Sequence, residues 1–299
     1  MKDNNPLVSV VVPCFNHEKF VQECIQSIIE QDYKNIELIV IDDGSKDKSV
    51  EIIKSLISDC RKRFKKFIFL YRENKGLCET LNEAIELCSG KYFCCLASDD
   101  IIYKDKISYQ VSYLEAHTES LGVFGGVEII GLNRSEVLKT KRVVRSKFDD
   151  IYLHKHLLMA PTQMLRLDAV KNAGGFNKDF LIEDWYMWLA LTKNGGTLDC
   201  VDKVFAKYRR HEDNMSSKFD LMHKGRMQII NFFKNKNYNR AFSNIHLIRS
   251  QEIVRKNLGE AFSSLIVALR SSKEIIFSKL FFRTLIILIV RGIFRIGRS

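Results

Sequence analysis

The chain has 299 residues, 46% of them hydrophobic and 28% charged, which is the composition of an ordinary globular protein long enough for one large domain with an appendage. Its net charge of +11 is concentrated: residues 216–299 hold 16 Lys and Arg against 4 Asp and Glu, while the part before them holds 31 against 32. A near-neutral body with a basic end argues against a nucleic-acid reader, which spreads basic groups over a reading surface.

Eight cysteines show neither a CxxC pair nor metal-ligand spacing. They predict small core side chains in a reducing cytoplasm rather than a zinc site or a disulfide framework. The opening MKDNNPLVSVVV has no basic stretch followed by an apolar leader, so synthesis and function inside the cell are expected.

Residues 7–12 form a β-branched run closed by Pro13, Cys14, Phe15 and Asn16, a first strand. Phe20, Val21, Cys24, Ile25, Ile28 and Ile29 then recur at helical spacing. A buried strand at 36–41 is closed by Asp42, Asp43, Gly44 and Ser45, and 48–57 is helical through Val50, Ile53, Leu56 and Ile57. A third strand, 67–71, runs into Arg72, Glu73, Asn74, Lys75 and Gly76, and a third amphipathic helix covers 77–88. Residues 92–96 read as a fourth strand, apolar on both faces, that stops at Ser98, Asp99 and Asp100. This alternation predicts an α/β fold, a Rossmann-like and mostly parallel sheet with helices on both faces. Successive strands then point the same way, so four polar clusters surface along one edge, where ligands bind in such sheets. An Asp pair there is placed to hold a divalent cation against a phosphate, although Asp also caps turns for purely local reasons.

Further on, the periodicity predicts a helix to His117, a Gly-rich strand at 123–130, and a polar, basic excursion or mobile loop at 133–148. Residues 157–167 are strand or loop, and 168–173 are a short helix ended by Gly174 and Gly175. The stretch 181–191, LIEDWYMWLAL, is a helix opened by Glu183 and Asp184, where carboxylates can also serve only the helix dipole. A last strand at 204–208 precedes Arg209, Arg210 and His211, and 221–270 is helical, two or three helices packed as a hairpin or small bundle. From 275 to 299 the apolar runs are broken by Lys279, Arg283, Arg291 and Arg295. Its longest charge-free piece, 284–290, is far short of the roughly 20 residues that span a bilayer. On a helical wheel the four basic residues fall within about 160° of arc, which predicts a helix lying in the membrane interface in preference to one docked on the protein's own core. The expected domains are 1–216, a helical extension at 217–270, and a membrane-interface helix at 271–299.

Phe15 can stack on a base, and Asp43 can accept a hydrogen bond from a uracil or thymine N3–H. Asp99 and Asp100 can hold Mg²⁺ or Mn²⁺ on a diphosphate, with Lys75, Arg209, Arg210 and His211 adding positive charge. Such a set suits a nucleoside diphosphate as leaving group. No GxxxxGK[ST] loop and no GxGxxG turn is present, which disfavours an NTPase of that class and a dinucleotide enzyme.

Five stretches, VSVVVPCFN at 8–16, IVIDDGS at 39–45, NKGLCETLN at 74–82, GKYFCCLASDD at 90–100 and GGFNKDFLIED at 174–184, together resemble family 2 glycosyltransferases over about residues 7–216. The resemblance implies a GT-A fold, a nucleotide-sugar donor, a divalent metal and inversion at the anomeric carbon. By position it assigns Pro13, Phe15, Asn16, Asp42, Asp43, Lys75 and Asp99 to the nucleotide, and Asp99, Asp100 and His211 to the metal and diphosphate. Asp184, with Glu183 beside it, matches the catalytic base. Two positions depart from the pattern: Ala97 stands where many members have the first Asp of the metal motif, and Ala190 where an Arg is frequent. The function implied is transfer from a UDP-sugar, favoured over dTDP or GDP by Asp43, to a hydroxyl of a lipid-linked saccharide acceptor. The setting implied is surface-polysaccharide synthesis on the inner face of the cell membrane. Ala97 leaves a second reading, a catalytically silent nucleotide-sugar-binding or membrane-assembly subunit. A nucleotidyltransferase would carry a Gly-rich basic loop where PCFNHEKF stands.

Overall fold

A computed structural model describes residues 5–131, 135–211 and 214–296, with 291–296 described for the backbone alone. The chain divides into two compact units. The first comprises Met1–Phe148, His156–Lys178 and Glu183–His211, and the second Asp149–Lys155, Asp179–Ile182 and Glu212–Ser299.

In the first unit, β1 (Val8–Cys14), β2 (Ile36–Asp42), β3 (Lys66–Tyr71) and β4 (Tyr92–Cys95) alternate with α1 (Val21–Ile29), α2 (Ser49–Ser55), α3 (Ile57–Arg63) and α4 (Leu77–Leu87). β1 (VSVVVPC) and β2 (IELIVID) are rich in Val and Ile and buried nearly throughout, as expected of strands covered on both faces. β3 is only partly buried because it lies at the edge of the sheet. Then come β5 (Ile101–Ile102), α5 (Lys106–Ala116), β6 (Ser120–Ile130), β7 (Glu136–Leu138), β8 (Val144–Ser146), β9 (Met164–Arg166), α7 (Leu167–Asn172), α8 (Glu183–Thr192) and β10 (Thr197–Arg209), while α6 (Phe148–Tyr152), between β8 and β9 in chain order, belongs to the second unit from Asp149 on.

The sheet runs β3-β2-β1-β4-β9-β6-β10-β5, with β7 on β6 and β8 on β10. Neighbours β3-β2-β1-β4 are parallel, as is the β6-β10 pair, whereas β9 runs antiparallel to both β4 and β6. Cys14 pairs with Asp42 and Asp42 with Tyr71, so the ends of the first three strands stand level. That register brings the first polar loops to one edge.

Three readings of the sequence need correction, and one left open is settled. The excursion at 133–148 is not a free loop in its described part, since it supplies β7 and β8, whose polar side chains tolerate pairing at the margin of the sheet. Residues 157–167 resolve into a short 3₁₀ turn and β9, and Asp100 leads directly into β5. The helix at 48–57 breaks at Leu56, after which α3 begins on a separate line. The last strand spans Thr197–Arg209, not five residues, because irregularities in its register let it follow β6 around the curl. All eight cysteines are free thiols, six of them buried.

At the edge opposite the polar loops, Glu37 is buried and accepts bonds from Ser9 Oγ (2.5 Å), Ser89 N–H (2.6 Å) and Ser89 Oγ (2.7 Å). Burial alone would raise its pKa, but these bonds outweigh it and hold the carboxyl below its ordinary value. Gly90 is required here, because a Cβ would lie 2.7 Å from the Ser9 backbone nitrogen and 2.8 Å from the Leu7 carbonyl oxygen.

The second unit is helical. It holds α9 (Phe219–Phe232), α10 (Tyr238–Ile253), α11 (Leu258–Ser271) and α12 (Lys279–Ile296). Arg226 clamps Glu252 with two bonds of 2.9 and 2.7 Å, fixing α9 to α10. On α12, Thr284 and Leu288 are buried and Leu280, Phe281 and Ile287 pack toward a core built from α10 and α11. The helix therefore docks one face on its own unit. Its other face stays open and apolar, with Phe282, Ile286 and Ile289 at 55%, 61% and 50% exposure beside the exposed Lys279 and Arg283. The side chains of Arg291 and Arg295 lie outside the described residues. No helix among the described residues is long and apolar enough to cross a membrane.

Candidate functional site

The level ends of β1 and β2 bring their loops together. Asn16 adopts a left-handed backbone (φ 55°); its N–H donates to Ser45 Oγ (2.8 Å) and its Oδ1 accepts the Lys46 N–H (2.8 Å). Asp42 is buried and turned to its own loop, accepting the Ser45 N–H (2.8 Å) and hydroxyl (2.6 Å). Asp43 faces the β3–α4 loop instead. It accepts the Lys75 N–H on Oδ1 (2.9 Å), the Gly76 N–H on Oδ2 (2.9 Å), and the Arg72 guanidinium on Oδ1. Gly44 permits this approach: its φ is +83°, and a Cβ there would lie 2.7 Å from the Asn74 backbone nitrogen. A carboxylate offers about four acceptor directions. Three are taken, which leaves one open on Oδ2. Pro13 is half-buried and Phe15 exposed on the neighbouring loop. The Lys75 side chain is exposed and lines a cavity of about 690 Å³ with Glu79, Asn82, Glu83 and Lys171.

Beyond β4, Asp99 Oδ2 lies 3.0 Å from His211 Nε2, and Ser98 Oγ lies 2.7 Å from His17 Nδ1. One ligand atom each of His17, Asp99 and His211 fall within 4.8 Å of one another. Two imidazoles and a carboxylate so close suit a divalent metal ion by donor type and spacing. Phe20 packs against both rings, stacked on His211 at 5.2 Å and edge-on to His17 at 5.8 Å. Asp100 is differently employed. It is buried, its Oδ1 accepts the Arg209 N–H (2.9 Å), and burial, followed by the charge of Asp99, pushes its pKa well up. Arg209 is committed as well, donating to the Asp99 carbonyl (3.0 Å) and to Glu23 (2.5 Å).

Glu183 and Asp184 open α8 and are half-buried. Asp184 Oδ1 accepts the Trp185 N–H (2.6 Å). Burial, together with the charge of Asp184, pushes Glu183 up to about 8, and burial pushes Asp184 up to about 6. Both are close enough to Cys95, the last residue of β4, to raise its thiol, so the pair stands by the strand end that leads to Asp99. Asn82 on α4 steadies the approach to α8, its amide bonding the Phe176 carbonyl (2.7 Å) and N–H (2.8 Å).

The sequence reading missed three residues that build this edge: His17, Phe20 in its role against the two rings, and Arg72. His17 and Ser98 are 81 positions apart, and no local spacing links them.

A family model described as glycosyl transferase family 2 matches residues 9–172. An uncharacterized glycosyltransferase of Haemophilus influenzae is 31% identical over 229 residues, covering 73% of this chain and 70% of that protein. The chain spans only 40% of the length of two uncharacterized Rickettsia glycosyltransferases that it matches over 133 residues. Among solved structures, Staphylococcus aureus TarS 1-349 in complex with UDP-GlcNAc aligns with a TM-score of 0.61 at 16% identity, covering 90% of this chain and 92% of that one. The mannosyltransferase PcManGT of Pyrobaculum calidifontis, in complex with GDP-Man and Mn²⁺, aligns at 0.63 and 14% identity, covering 97% and 87%. These likenesses show the same GT-A fold. With the family model matched over more than half of its length, the chain belongs to glycosyl transferase family 2.

Proposed function

We propose that the chain is an inverting glycosyltransferase that moves a sugar from a nucleotide-diphosphate sugar, UDP-linked in preference to dTDP or GDP, to a hydroxyl of a saccharide acceptor. The observation that carries this is a carboxyl pair with raised pKa values by the end of β4, the strand that leads to a carboxylate–imidazole cluster. Asp184 takes the proton of the acceptor hydroxyl. That oxygen forms a bond to C1 of the sugar from the face opposite the nucleotide, and the C1–O bond to the diphosphate breaks, its electron pair leaving with the nucleoside diphosphate. The open acceptor direction on Asp43 Oδ2 suits a uracil N3–H, and the exposed Phe15 ring offers a stacking face. Asp99 and His211 would hold Mg²⁺ or Mn²⁺, which when bound neutralises charge on the leaving diphosphate. Asp100 keeps the ends of β4 and β10 together through Arg209. The complexes of TarS with UDP-GlcNAc and of PcManGT with GDP-Man and Mn²⁺ support a nucleotide-sugar donor and a divalent cation.

Thermal-shift measurements with UDP-, dTDP- and GDP-sugars, each with and without Mn²⁺, test the donor. The largest rise is expected for a UDP-sugar with Mn²⁺, since a ligand at 100 times its Kd adds about 2.7 kcal/mol to the folded state. No rise with any of them would sink the proposal. Binding without metal-dependent release of the nucleoside diphosphate, tested with a lipid extract as acceptor, would favour the silent nucleotide-sugar-binding or membrane-assembly subunit instead.

The acceptor is proposed to be lipid-linked, as in surface-polysaccharide synthesis, with the chain peripheral on the inner face of the cell membrane. The exposed apolar face of α12, flanked by Lys279 and Arg283, supports this reading. Co-sedimentation with vesicles containing anionic lipid is expected, and Phe282→Ser with Ile286→Ser should reduce it strongly. Equal sedimentation of that double variant would remove α12 from the membrane contact.

A further inference from the structure

We propose that His17 is a ligand of the divalent cation, completing with Asp99 and His211 a face of two imidazoles and one carboxylate. The inference rests on the reading of Asp99 and His211 as the cation site of a glycosyltransferase. His17 follows the tight turn at Asn16, whose left-handed backbone is held by Ser45 and Lys46. The His17 N–H donates to Ser49 Oγ (2.9 Å), so the backbone that carries the ring is fixed to the start of α2. Its ring is fixed as well. Ser98 Oγ holds Nδ1 at 2.7 Å and Phe20 packs edge-on against it. A bond to one imidazole nitrogen that sets the ring's orientation is the usual support of a ligating histidine, and a ring nitrogen of His17 lies within 4.8 Å of ligand atoms of Asp99 and His211. His211 is stacked on the same Phe20 ring at 5.2 Å and lies edge-on to His17 at 6.0 Å, with its Nε2 3.0 Å from Asp99 Oδ2.

Ala97 is exposed at this end of β4 and offers no side-chain donor, and the buried Asp100 has its Oδ1 on the Arg209 N–H. His17 supplies the third donor of the cluster, from a different strand end than Asp99 and His211. The donor set has a chemical consequence. Mg²⁺ keeps to oxygen ligands and water, whereas two imidazole nitrogens favour first-row transition ions, with affinity rising from Mn²⁺ to Co²⁺. The site should therefore take Mn²⁺ or Co²⁺ in preference to Mg²⁺.

The test titrates Mn²⁺ into the full chain, with and without UDP, following loss of the free-ion electron paramagnetic resonance signal, and counts coordinated nitrogens by pulsed methods on the bound ion. Two imidazole nitrogens are expected in the unaltered protein and one in His17→Gln, a variant that keeps a polar partner for Ser98. Mn²⁺ affinity should fall by about 10- to 100-fold in His17→Gln and at least as far in Asp99→Asn. Binding of UDP measured without metal should be unchanged in His17→Gln. A single coordinated nitrogen in the unaltered protein overturns the proposal and needs no variant to fold. Loss of Mn²⁺ in Asp99→Asn alone, with His17→Gln titrating as the parent does, also overturns it while leaving the cation site itself in place. If the unaltered chain takes up no Mn²⁺ even with UDP, the inference and the metal part of the functional reading fall together.

Discussion

Asp184→Asn is expected to lower sugar transfer by a factor on the order of 10² to 10⁴, the usual contribution of a positioned base, with UDP binding unchanged. Two carboxyl groups in a part-buried helix start cannot both ionise freely, and burial has pushed them apart, Glu183 up to about 8 and Asp184 up to about 6. Near neutral pH Glu183 keeps its proton and Asp184 carries the charge. Turnover should therefore fall as pH drops through about 6, where Asp184 takes up a proton and can no longer receive one. Stability should move the other way. A carboxyl whose folded-state pKa is raised binds its proton more tightly when folded, so its contribution is lost as pH rises through that value. Asparagine cannot ionise, so the variant should melt no lower than its parent at neutral pH. Initial rates of nucleoside-diphosphate release against pH, with melting curves of both proteins, check all of this. Undiminished turnover in the variant would remove Asp184 from the mechanism.

Arg72→Ala is expected to cost about 3 kcal/mol of unfolding free energy, read from urea denaturation, and to abolish UDP binding with it. Arg72 donates to Asp43, to Glu83 (2.8 Å), to Thr80 (3.0 Å) and to the Glu73 carbonyl (3.0 Å). Its removal strands the buried Asp43 carboxylate and the half-buried Glu83. Asp43 then has only the Lys75 and Gly76 N–H groups to hold it. Arg72→Lys should rescue little, because a single ammonium cannot reach several partners in the plane of a guanidinium. A urea midpoint equal to the parent's would show that the loop is held by its backbone bonds alone.

The strands that a reader can find are those whose side chains all face apolar neighbours. β1, β2 and β4 announce themselves by runs rich in Val, Ile, Phe and Cys, and the register of Cys14 with Asp42 follows once they are parallel. β7 and β8, with Glu136 and Arg145 among three residues each, have no apolar pattern of their own. They are strands because β6 and β10 offer them a ladder. At the site, the acidic residues were legible because they recur where successive parallel strands end, within stretches that together resemble one family. What those carboxylates do was less legible. Asp42 and Asp43 are adjacent, yet one serves its own turn and the other meets the loop after β3, a difference set by the left-handed Gly44 between loops. His17 looked like part of an undistinguished loop, since its partners Ser98, Asp99 and His211 are brought to it only by the pairing of the strands.

Glu37, on the edge of the sheet away from the site, gives the molecule an order of events in acid. Its carboxyl is held below the ordinary range, so its contribution is complete above the unfolded value and is lost only as pH falls through the lower, folded one. Asp100, Glu183 and Asp184 are held above the ordinary range and take up protons first, a change that favours the folded chain. Mild acid thus silences one rim of the sheet while the other rim still grips. Asp184, the proposed base, should therefore be neutralised before Glu37 takes up a proton, and the loss of turnover is expected to reverse when the pH is restored.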